Sequence, residues 1–482
     1  MVSAEMESLA RTGGLGDVVE ALSAHLARLG AHVLVVTPLY GVTRVPRGVS
    51  RWGGTVPVRV GWGEHDVRNV GVVELAPAEA GRLRVCLMDH PPLFGRDGIY
   101  GDSHGAFGDN ELRFAVLSRA ALEIAARAWG TVPDVIHAHD WHATLSVIYA
   151  RLTMGKTWEK VPSVLTIHNL GFQGVLGQSA LDPLSIPKGA LHSGALAHQG
   201  NVNLMKGAIT YAERVTTVSP TYAWEIQTPE GGFGLDAHLR ANAHKVMGVR
   251  NGIDTLRFDP ASDSHIALRF DATTAASGKA ACKRALLTEL GLDLDPSAPL
   301  FATVSRLTWQ KGTDLLLALM PMLVEGGARV ALVGQGDADL EQAVAGAAAR
   351  FPGRVASRIA FDPLLARRVY AASDFFFVPS RYEPCGLTQM YAMRYGSVPI
   401  VTAVGGLKDT VEPARPAQES GTGIVAPFAG MVDLALACED ALALYKDPLA
   451  MRGLTQRAMG SDLSWTPSAG AYLSMYREIA SR

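Results

Sequence analysis

Cysteine is scarce in this sequence, and its spacing argues against the structures that cysteine usually builds. The chain has four cysteines far apart from one another: Cys86, Cys282, Cys385 and Cys438. None of them forms a CxxC pair. We therefore expect neither a zinc cluster nor a disulfide framework, and a reducing compartment such as the cytoplasm fits best.

Long apolar runs and a leader peptide are missing as well. No apolar stretch approaches the ~20 residues that a membrane-spanning helix needs. The first ten residues contain Glu5 and Glu7 and lack both a basic start and an apolar stretch, which argues against a signal peptide. We therefore expect a soluble protein with no membrane partner.

Charge of one sign is not in excess either. Lys and Arg total 44 against 46 Asp and Glu, a net charge of −2, so there is no basic surplus to hold a nucleic acid. Hydrophobic residues make up 48% of the chain and charged residues 19%, which indicates a globular protein with a sizeable core. At 482 residues, two large domains are expected.

Short apolar, β-branched runs alternate with helical-looking stretches along the chain. The runs fall into two series, at residues 33–37, 135–137, 163–167 and 215–218, and then at 300–304, 329–333, 355–359, 375–378 and 399–401. This alternation predicts an α/β fold of two doubly wound domains. A turn signal at 251–254 and a polar stretch at 260–264 indicate a boundary near residue 250. The cleft between the domains is the expected active site.

A glycine loop, RTGGLGD at residues 11–17, follows a short strand-like start and precedes an amphipathic helix at 18–29. Its backbone amides are placed to face a phosphate, although a plain turn would use the same glycines. A dinucleotide fingerprint is excluded because Val19 stands where the third glycine belongs. A P-loop ending at 155–157 is excluded because Ala150 replaces its leading glycine.

Two patterns look like metal sites, and neither fits. The segment HAHDWH at residues 137–142 departs from the binuclear hydrolase pattern HxHxDH, because Asp140 comes one place early and Trp141 takes its slot. We expect Asp140 and Trp141 to face a sugar instead. The DxD patterns at 293–295 and 337–339 fall in expected solvated connections. A mechanism without a metal or another cofactor is favoured.

The strongest chemical signal is the segment SRLTWQKG at residues 305–312. It places Arg306 and Lys311 just after the first strand of the second domain. Two cations there are suited to a departing nucleoside diphosphate, because Arg offers a fork of donors and Lys a point charge. The alternative interpretation is that Arg306 and Lys311 are two surface cations at the start of a helix.

The segment SRYEPCGLTQ at residues 380–389 also follows an apolar strand. Gly386 is expected to open a helix that runs to Arg394, with its first amides directed at phosphate. Glu383 is placed to hydrogen-bond sugar hydroxyls or, alternatively, to cap the turn. Cys385 has no basic neighbour in sequence and is expected to pack rather than react.

Together these segments resemble the bacterial glycogen synthases and plant starch synthases, which are retaining glucosyltransferases of the GT-B architecture. The resemblance runs through nearly the whole chain and includes TIHNL at 166–170, VTTVSPTY at 215–222, EIQTPE at 225–230, NGID at 251–254 and SWTPSA at 464–469. It implies two Rossmann-like domains facing across a cleft. Residues 1–250 would form the acceptor side, 251–460 the nucleotide-sugar domain, and 461–482 a helix crossing back to the first domain.

The resemblance also implies roles for individual residues. His168 and Asn169 would lie beside the donor glucose, with His168 near the positive charge that develops at the anomeric carbon. Arg306 and Lys311 would neutralise the diphosphate, and Glu383 would hold the glucose hydroxyls. Further substrate contacts are implied for Arg11, which replaces the family's lysine, and for Gly13, Gly14, Tyr100, Asp140, Trp141, Asn251, Cys385, Gly386, Leu387, Thr388 and Tyr391.

The function that the resemblance implies is transfer of glucose from ADP-glucose to the non-reducing end of an α-1,4-glucan such as glycogen, with retention of configuration. The sequence leaves open UDP-glucose as the donor, and it leaves the oligomeric state unknown. No carboxylate pair suited to the double displacement of retaining glycosidases is evident, so same-face attack is expected. The alternatives are a GT-B transferase with another acceptor and a catalytically silent protein that binds glucan or nucleotide.

Overall fold

The β-branched runs of the sequence form the strands of two large sheets in the computed structural model, which describes residues 1–415 and 419–481. The chain divides into two units, each with its own core. The first contains Met1–Asn251 together with the chain from Trp465 onward, and the second contains Gly252–Ser464. None of the described helices is long and apolar enough to cross a membrane.

The elements of the first unit alternate as the sequence pattern predicts. Its strands are β1 Val33–Pro38, β2 Ser50–Arg51, β3 Val56–Arg59, β4 Val67–Glu74, β5 Leu83–Asp89, β6 Gly101–Asp102, β7 Gly105–Ala106, β8 Ile136–His139, β9 Ser163–Ile167, β10 Val175–Leu176, β11 Ala197–His198, β12 Asn201–Asn203, β13 Arg214–Thr217 and β14 Val246–Gly248. Its helices are α1 Gly14–Arg28, α2 Pro91–Phe94, α3 Asn110–Trp129, α4 Thr144–Leu152, α5 Lys156–Glu159, α6 Lys188–His192, α7 Leu204–Tyr211, α8 Pro220–Glu225 and α9 Asp236–Ala241.

The large sheet of the first unit is mostly parallel. Strands β14, β13, β9 and β8 lie side by side in parallel, and β1 pairs in parallel with β5. Val2 joins the two groups through parallel bridges to Ala138 in β8 and Val36 in β1. The short N-terminal run therefore supplies a single bridging residue in the middle of the sheet, and the chain leaves it toward the carboxyl edge.

The second unit repeats the alternation. Its elements are α10 Ala275–Leu290, β15 Leu300–Val304, α11 Thr313–Glu325, β16 Arg329–Gly334, α12 Ala338–Arg350, β17 Val355–Ile359, α13 Pro363–Ala372, β18 Phe375–Val378, α14 Thr388–Arg394, β19 Val398–Thr402, α15 Gly405–Thr410, β20 Ile424–Ala426, α16 Met431–Tyr445 and α17 Pro448–Gly460. The strands lie in the order β17-β16-β15-β18-β19-β20, and all pairs are parallel. The order reverses between β15 and β18.

The last helix, α18 Thr466–Ala480, packs in the core of the first unit. Tyr472 and Met475 of α18 share a buried cluster with Leu22 and Leu26 of α1, whose apolar residues recur at helical spacing. The helix α1 begins at Gly14, earlier than the predicted residue 18. Its N-cap is Gly13, whose extended backbone (φ −149°, ψ −167°) stops the helix there.

Two local predictions in the second unit are wrong. The helix expected to open at Gly386 begins at Thr388, because Gly386 has a φ of +71°, outside the helical region. The second DxD pattern is not a connection, since Asp337 is the N-cap of α12 and Asp339 lies in its first turn. Within the described residues, no group of three or more His, Cys, Asp or Glu side chains is arranged to hold a metal ion.

Candidate active site

Polar side chains follow the neighbouring strands β8 and β9 of the first unit and the bridging residue Val2 beside β8. Glu5 follows the bridging residue Val2, Asp140 follows β8, and His168 follows β9. Because the carboxyl ends of neighbouring parallel strands meet at one edge of a sheet, these side chains share that edge. Glu5 and Asp140 are buried there, and His168 is half-buried.

The carboxylate of Glu5 holds the glycine loop. Its Oε2 accepts hydrogen bonds from the backbone amides of Thr12 (2.7 Å) and Gly13 (3.1 Å). Its Oε1 accepts from the hydroxyls of Thr12 (2.9 Å) and Tyr100 (2.5 Å). The amides of Thr12 and Gly13 thus point at Glu5, which contradicts the prediction that they face a phosphate. Gly13 and Gly14 are exposed, and the amides of the α1 N-terminus begin at Gly14.

Arg11 is held by two carboxylates of the same unit. Its Nη1 lies 2.7 Å from Asp17 Oδ1 and 3.1 Å from Glu7 Oε1. Glycine at position 16 permits this arrangement, because a Cβ at Gly16 would lie 3.1 Å from both the Arg11 Cβ and the Glu7 amide nitrogen. The guanidinium charge is therefore balanced locally, and a phosphate would compete with Asp17 and Glu7 for it.

Tyr100 and Trp141 belong to one aromatic cluster. The Tyr100 ring stacks on His142 with centroids 4.6 Å apart, and the Trp141 ring centroid lies 4.4 Å from that of His142. Phe114 packs edge-on against Trp141 at 5.3 Å. Burial, together with the Glu5 carboxylate, raises the pKa of Tyr100 well above its usual value. The Tyr100 hydroxyl therefore stays protonated and donates to Glu5.

Asp140 organises the loop after β9. Its Oδ1 accepts hydrogen bonds from the backbone amides of His168 (2.7 Å) and Asn169 (3.3 Å). Its own backbone, with φ +56° and ψ −178°, lies in a region that residues other than glycine rarely adopt, and such strain is concentrated at functional sites. Burial raises the pKa of Asp140 to about 7, although the two amides oppose this shift. The Asn169 Oδ1 accepts from the Gly171 amide at 2.9 Å and completes the loop.

The His168 imidazole is paired with a second histidine. His168 Nε2 lies 3.0 Å from His139 Nδ1, and the His139 ring packs on His137 with centroids 4.0 Å apart. His137 is held in turn by the Tyr476 hydroxyl of α18 and by the Thr166 hydroxyl, each at 2.6 Å. Burial lowers the pKa of His168 to about 3 and the pKa values of His137 and His139 well below the usual range. All three rings are therefore neutral at physiological pH.

Asn251 lies at the end of the continuous part of the first unit. Its amide donates to the Val218 carbonyl at 3.3 Å, and its side chain is buried. Among the residues that the structure describes, its Oδ1 has no hydrogen-bond partner. Because buried acceptors without partners are rare, this oxygen is a candidate acceptor for a ligand.

In the second unit, the candidate residues flank the point where the strand order reverses. Arg306 and Lys311 follow β15, and Glu383 follows β18, the neighbour of β15 on the far side of the reversal. Ligands of open parallel sheets bind at such a switch point, beyond the carboxyl ends of the strands. The sheet topology thus brings together two segments that are distant in sequence.

The ammonium of Lys311 is paired with the carboxylate of Glu383. Nζ and Oε2 are 2.5 Å apart, and the same Oε2 accepts from the Ser380 hydroxyl at 3.0 Å. Glu383 is only 5% exposed, so its charge is buried together with its partners. Arg306 is exposed instead, and among the described side chains its guanidinium makes one long contact, 3.4 Å from Nη2 to Gln310 Oε1. The arginine therefore presents its guanidinium to solvent.

Glycine lets the loop after β18 pack closely against the first turn of helix α15. A Cβ at Gly406 would lie 2.1 Å from the Cys385 carbonyl oxygen, and the Gly406 amide donates to the Glu383 carbonyl at 3.0 Å. Only glycine allows this approach. Cys385 is buried in the contact, as its predicted packing role requires. Gly386 and Leu387 at the end of this loop and Thr388 at the start of α14 are half-buried.

Tyr391 lies in helix α14 with its side chain packed against other aromatic rings. Its ring centroid is 4.1 Å from that of Phe258 and 5.8 Å from that of Tyr370. The residue is 9% exposed. The ring therefore belongs to the interior of the second unit.

Glu5, His139 and Ser380 are among the residues of these clusters that the sequence does not identify as site residues. His139 and Ser380 lie inside segments that the motifs already single out, and Glu5 precedes the glycine loop. His139 contacts His168 after the neighbouring strand β9, whereas Glu5 accepts from its own glycine loop and from Tyr100, and Ser380 donates to Glu383 three residues on. The only signal for them is position at a strand end, which becomes useful once the strand order is known.

Two protein families match the chain, one within the first unit and one within the second. The family described as "Starch synthase catalytic domain" matches residues 1–241, and the family described as "Glycosyl transferases group 1" matches residues 298–443. A glycogen synthase of Myxococcus xanthus is 42% identical over 99% of this chain and 98% of its own length. The chain belongs to the glycogen and starch synthase family.

Other relatives agree with this family and with the fold. A glycogen synthase of Anaeromyxobacter dehalogenans is 43% identical over 99% of this chain and 98% of its own. The structure of the catalytic domain of starch synthase IV from Arabidopsis thaliana, bound to ADP and acarbose, is 33% identical, with a TM-score of 0.91 over 99% of this chain and 98% of its own. A sucrose-phosphate synthase of Thermosynechococcus elongatus, 20% identical with a TM-score of 0.59, shares the fold. The predicted GT-B fold, with two Rossmann-like domains, is confirmed, and the protein is a glycosyltransferase.

Proposed function

We propose that the protein is a glycogen synthase, which transfers glucose from ADP-glucose to the non-reducing end of an α-1,4-glucan with retention of configuration. The observation that carries this proposal is the group formed by Lys311, Glu383 and Ser380, with Arg306 nearby in sequence, at the switch point of the second sheet. The names of the relatives support the reaction, and the ADP bound to starch synthase IV supports the donor.

The two cations of the second unit are assigned to the diphosphate. Negative charge develops on the leaving group as the bond to the sugar breaks, and preorganised cations stabilise it better than water does. Arg306 is exposed and offers a fork of N–H donors, whereas Lys311 is fixed by Glu383 and supplies a point charge. We assign the amides of Gly386, Leu387 and Thr388, at the start of α14, to the same phosphates.

Glu383 is assigned to the hydroxyls of the donor glucose. A carboxylate can accept several hydrogen bonds at once. Among the described side chains, Lys311 and Ser380 donate to Glu383, and both donate to its Oε2. The sugar hydroxyls would donate the remaining hydrogen bonds to the Glu383 carboxylate. Cys385 and Tyr391 are assigned supporting roles, because both are buried in packing contacts.

The first unit is assigned to the reacting sugar and the glucan. Asp140 holds the loop that carries His168 and Asn169, so these two side chains are preorganised for the donor glucose. Tyr100 and Trp141 offer aromatic surface to glucose rings, and Asn251 offers its Oδ1. Arg11, Gly13 and Gly14 are assigned to the phosphate end, with the α1 N-terminus rather than the amide of Gly13 as the anion site.

Attack on the same face of the sugar is the step we propose. The glucan 4-hydroxyl forms a bond to the anomeric carbon as the bond to the diphosphate breaks, and its proton passes to an oxygen of the departing phosphate. Retaining enzymes that use a double displacement need a free carboxylate nucleophile. The two buried carboxylates of the first unit do not fit that role, because Glu5 accepts four hydrogen bonds and Asp140 Oδ1 accepts two.

The proposal is tested by following nucleoside diphosphate release from ADP-glucose and from UDP-glucose, each with and without maltoheptaose. We expect release from ADP-glucose that depends on the glucan. Release from UDP-glucose alone would overturn the assigned donor, and release without any glucan dependence would overturn the assigned acceptor. No release from either donor by folded protein would favour the silent binding protein.

A further inference from the structure

His139 is a buried histidine whose position is set by the sheet and by its neighbours. It ends strand β8, where its amide donates to the Val2 carbonyl at 3.1 Å, and it is 0% exposed. Its Nδ1 faces His168 Nε2 at 3.0 Å. Its other ring nitrogen, Nε2, has no hydrogen-bond partner among the described residues.

The contact between the two imidazoles admits two proton arrangements. Both rings are neutral, so each carries one N–H, and the hydrogen bond between them uses one of the two. In the first arrangement His139 Nδ1–H donates to His168 Nε2. In the second, His168 Nε2–H donates to His139 Nδ1, and the proton of His139 must then sit on Nε2.

The unpartnered nitrogen decides between these arrangements. A proton on His139 Nε2 would be a buried donor without an acceptor, which is costly. In the first arrangement Nε2 is a buried acceptor without a donor, which folded proteins tolerate more often than a buried N–H without an acceptor. The proton therefore belongs on His139 Nδ1, and His168 accepts at Nε2 and must carry its own proton on Nδ1.

We propose that His139 is a positioning residue that holds His168 in its Nδ1-protonated form, so that His168 acts as a hydrogen-bond donor to an oxygen of the donor substrate. No described residue hydrogen-bonds to His168 Nδ1, and the side chain is only half-buried, so this N–H is available to a ligand. The tautomer follows from the structure alone, whereas its consequence for turnover rests on the proposed function.

A wrong tautomer would harm the reaction in a specific way. With the proton on Nε2, His168 would present a lone pair at Nδ1 to a substrate oxygen that also carries lone pairs. The nucleotide contacts of the second unit would be unaffected, so nucleotide affinity would be kept while turnover fell. A general loss of structure would reduce both.

The tautomer is measured directly by NMR of protein labelled with ¹⁵N in histidine, where the couplings of ring protons to each nitrogen identify the protonated site. A His168→Gln variant assigns the signals of His168. We expect wild-type His168 to carry its proton on Nδ1. Wild-type His168 protonated on Nε2 would overturn the proposal without any need for a variant.

Two substitutions at His139 sharpen the test. His139→Asn places an amide N–H where Nδ1–H was, whereas His139→Phe keeps a ring of similar size without a donor. We expect the asparagine variant to retain the Nδ1 tautomer of His168, and the phenylalanine variant, which offers Nε2 neither a donor nor an acceptor, to lose this selection and populate both tautomers. His238→Asn, at a half-buried histidine that contacts Thr210, is the control and should leave the signals of His168 unchanged.

Kinetics then connects the tautomer to function. His139→Phe should lower kcat roughly 10- to 100-fold, with ADP affinity within about twofold of wild type, and His139→Asn should recover most of kcat. Equal kcat in both variants would overturn the positioning role. Absence of turnover in wild-type protein would instead count against the proposed function, and the NMR result would stand on its own.

Discussion

The ammonium of Lys311 and the carboxylate of Glu383 form a direct ion pair, with Nζ 2.5 Å from Oε2. The side chains are 19% and 7% exposed, so both charges are largely removed from water and each offsets the desolvation of the other. The pair stabilises the second unit, and both of its side chains are proposed to bind the donor substrate. Removal of either partner is therefore expected to affect stability as well as binding.

Lys311→Met removes the cation but keeps the apolar stem. We expect the free energy of unfolding to fall by roughly 3 kcal/mol, because Glu383 is left buried without its cation. We also expect ADP affinity to fall roughly 10- to 100-fold, because a phosphate contact is lost. Denaturant unfolding and titration calorimetry with ADP measure the two effects.

Two further variants separate these effects. The double variant Lys311→Met, Glu383→Gln removes both charges, so it should recover stability without recovering ADP affinity. Lys156→Met, at an exposed lysine of α5, is the control and should change neither quantity. Normal ADP affinity in Lys311→Met would refute the role of Lys311 at the diphosphate.

Glu5→Gln is expected to loosen the glycine loop. The glutamine side chain has one acceptor oxygen in place of two, so it leaves at least one of the Thr12 and Gly13 amides or the Tyr100 hydroxyl without an acceptor. We expect a loss of roughly 2–3 kcal/mol in urea unfolding. Glu20→Gln is the matched control, since Glu20 accepts one amide, that of Ser8, at an exposed site, and should cost less than about 1 kcal/mol. Equal losses would argue against a special role for Glu5.

Gly406→Ala is expected to disrupt the loop that carries Glu383. Its Cβ would lie 2.1 Å from the Cys385 carbonyl oxygen, and the backbone cannot yield without moving the Glu383 segment. We expect a loss of roughly 2 kcal/mol or more together with reduced turnover. Gly346→Ala is the control in the interior of α12, where a Cβ meets nothing within 4 Å, and it should stabilise by about 1 kcal/mol. Thermal unfolding of both variants distinguishes the two sites.

Asp140 is expected to make stability fall as pH rises. Burial raises its pKa from 3.8 to about 7, so its stabilising contribution is full below about pH 3.8 and is lost as pH rises through about 7. Asp140→Asn removes this titration. Between about pH 4 and pH 8, the unfolding free energy of wild type should fall by roughly 4 kcal/mol relative to the variant. Urea unfolding across this range measures the difference.

Asp263 is the matched control because its shift has the opposite sign. Burial acts to raise its pKa, but hydrogen bonds from Tyr395, His265 and Arg367 outweigh burial and lower the pKa to about 2. Its contribution is present above about pH 3.8 and is lost only as pH falls through about 2. The difference between wild type and Asp263→Asn should therefore be constant above about pH 5. A constant difference for Asp140→Asn over the same range would contradict the buried, titrating carboxylate.

Much of the fold is predictable because buried parallel strands are continuous apolar runs. The predicted bounds of β9, β15 and β18 agree with the structure, since each run is flanked by polar or turn residues. The starts of α1 and α14 are not predicted correctly. The start of α1 is predicted too late, because residues 14–17, which were counted as part of the phosphate loop, already belong to the helix. The start of α14 is predicted too early, because Gly386 has a φ of +71°, outside the helical region.

The sequence predicts which residues belong to the candidate site better than it predicts which of them contact one another. Arg306, Lys311 and Glu383 stand out because charged side chains follow apolar strands. The pairing of Lys311 with Glu383 is not visible in the sequence, because the strand order that brings β15 beside β18 is not encoded in local pattern. Glu5 is the clearest case, since its role depends on Val2 lying between β8 and β1.

The measurement that tests the central claim most directly is the configuration of the transferred glucose. Maltoheptaose is incubated with ADP-glucose labelled with ¹³C at the anomeric carbon, and the product is examined by NMR. We predict a new α-1,4-linked signal at the non-reducing end, formed in step with ADP release. A β-linked signal, or free glucose in place of a longer glucan, would contradict the account.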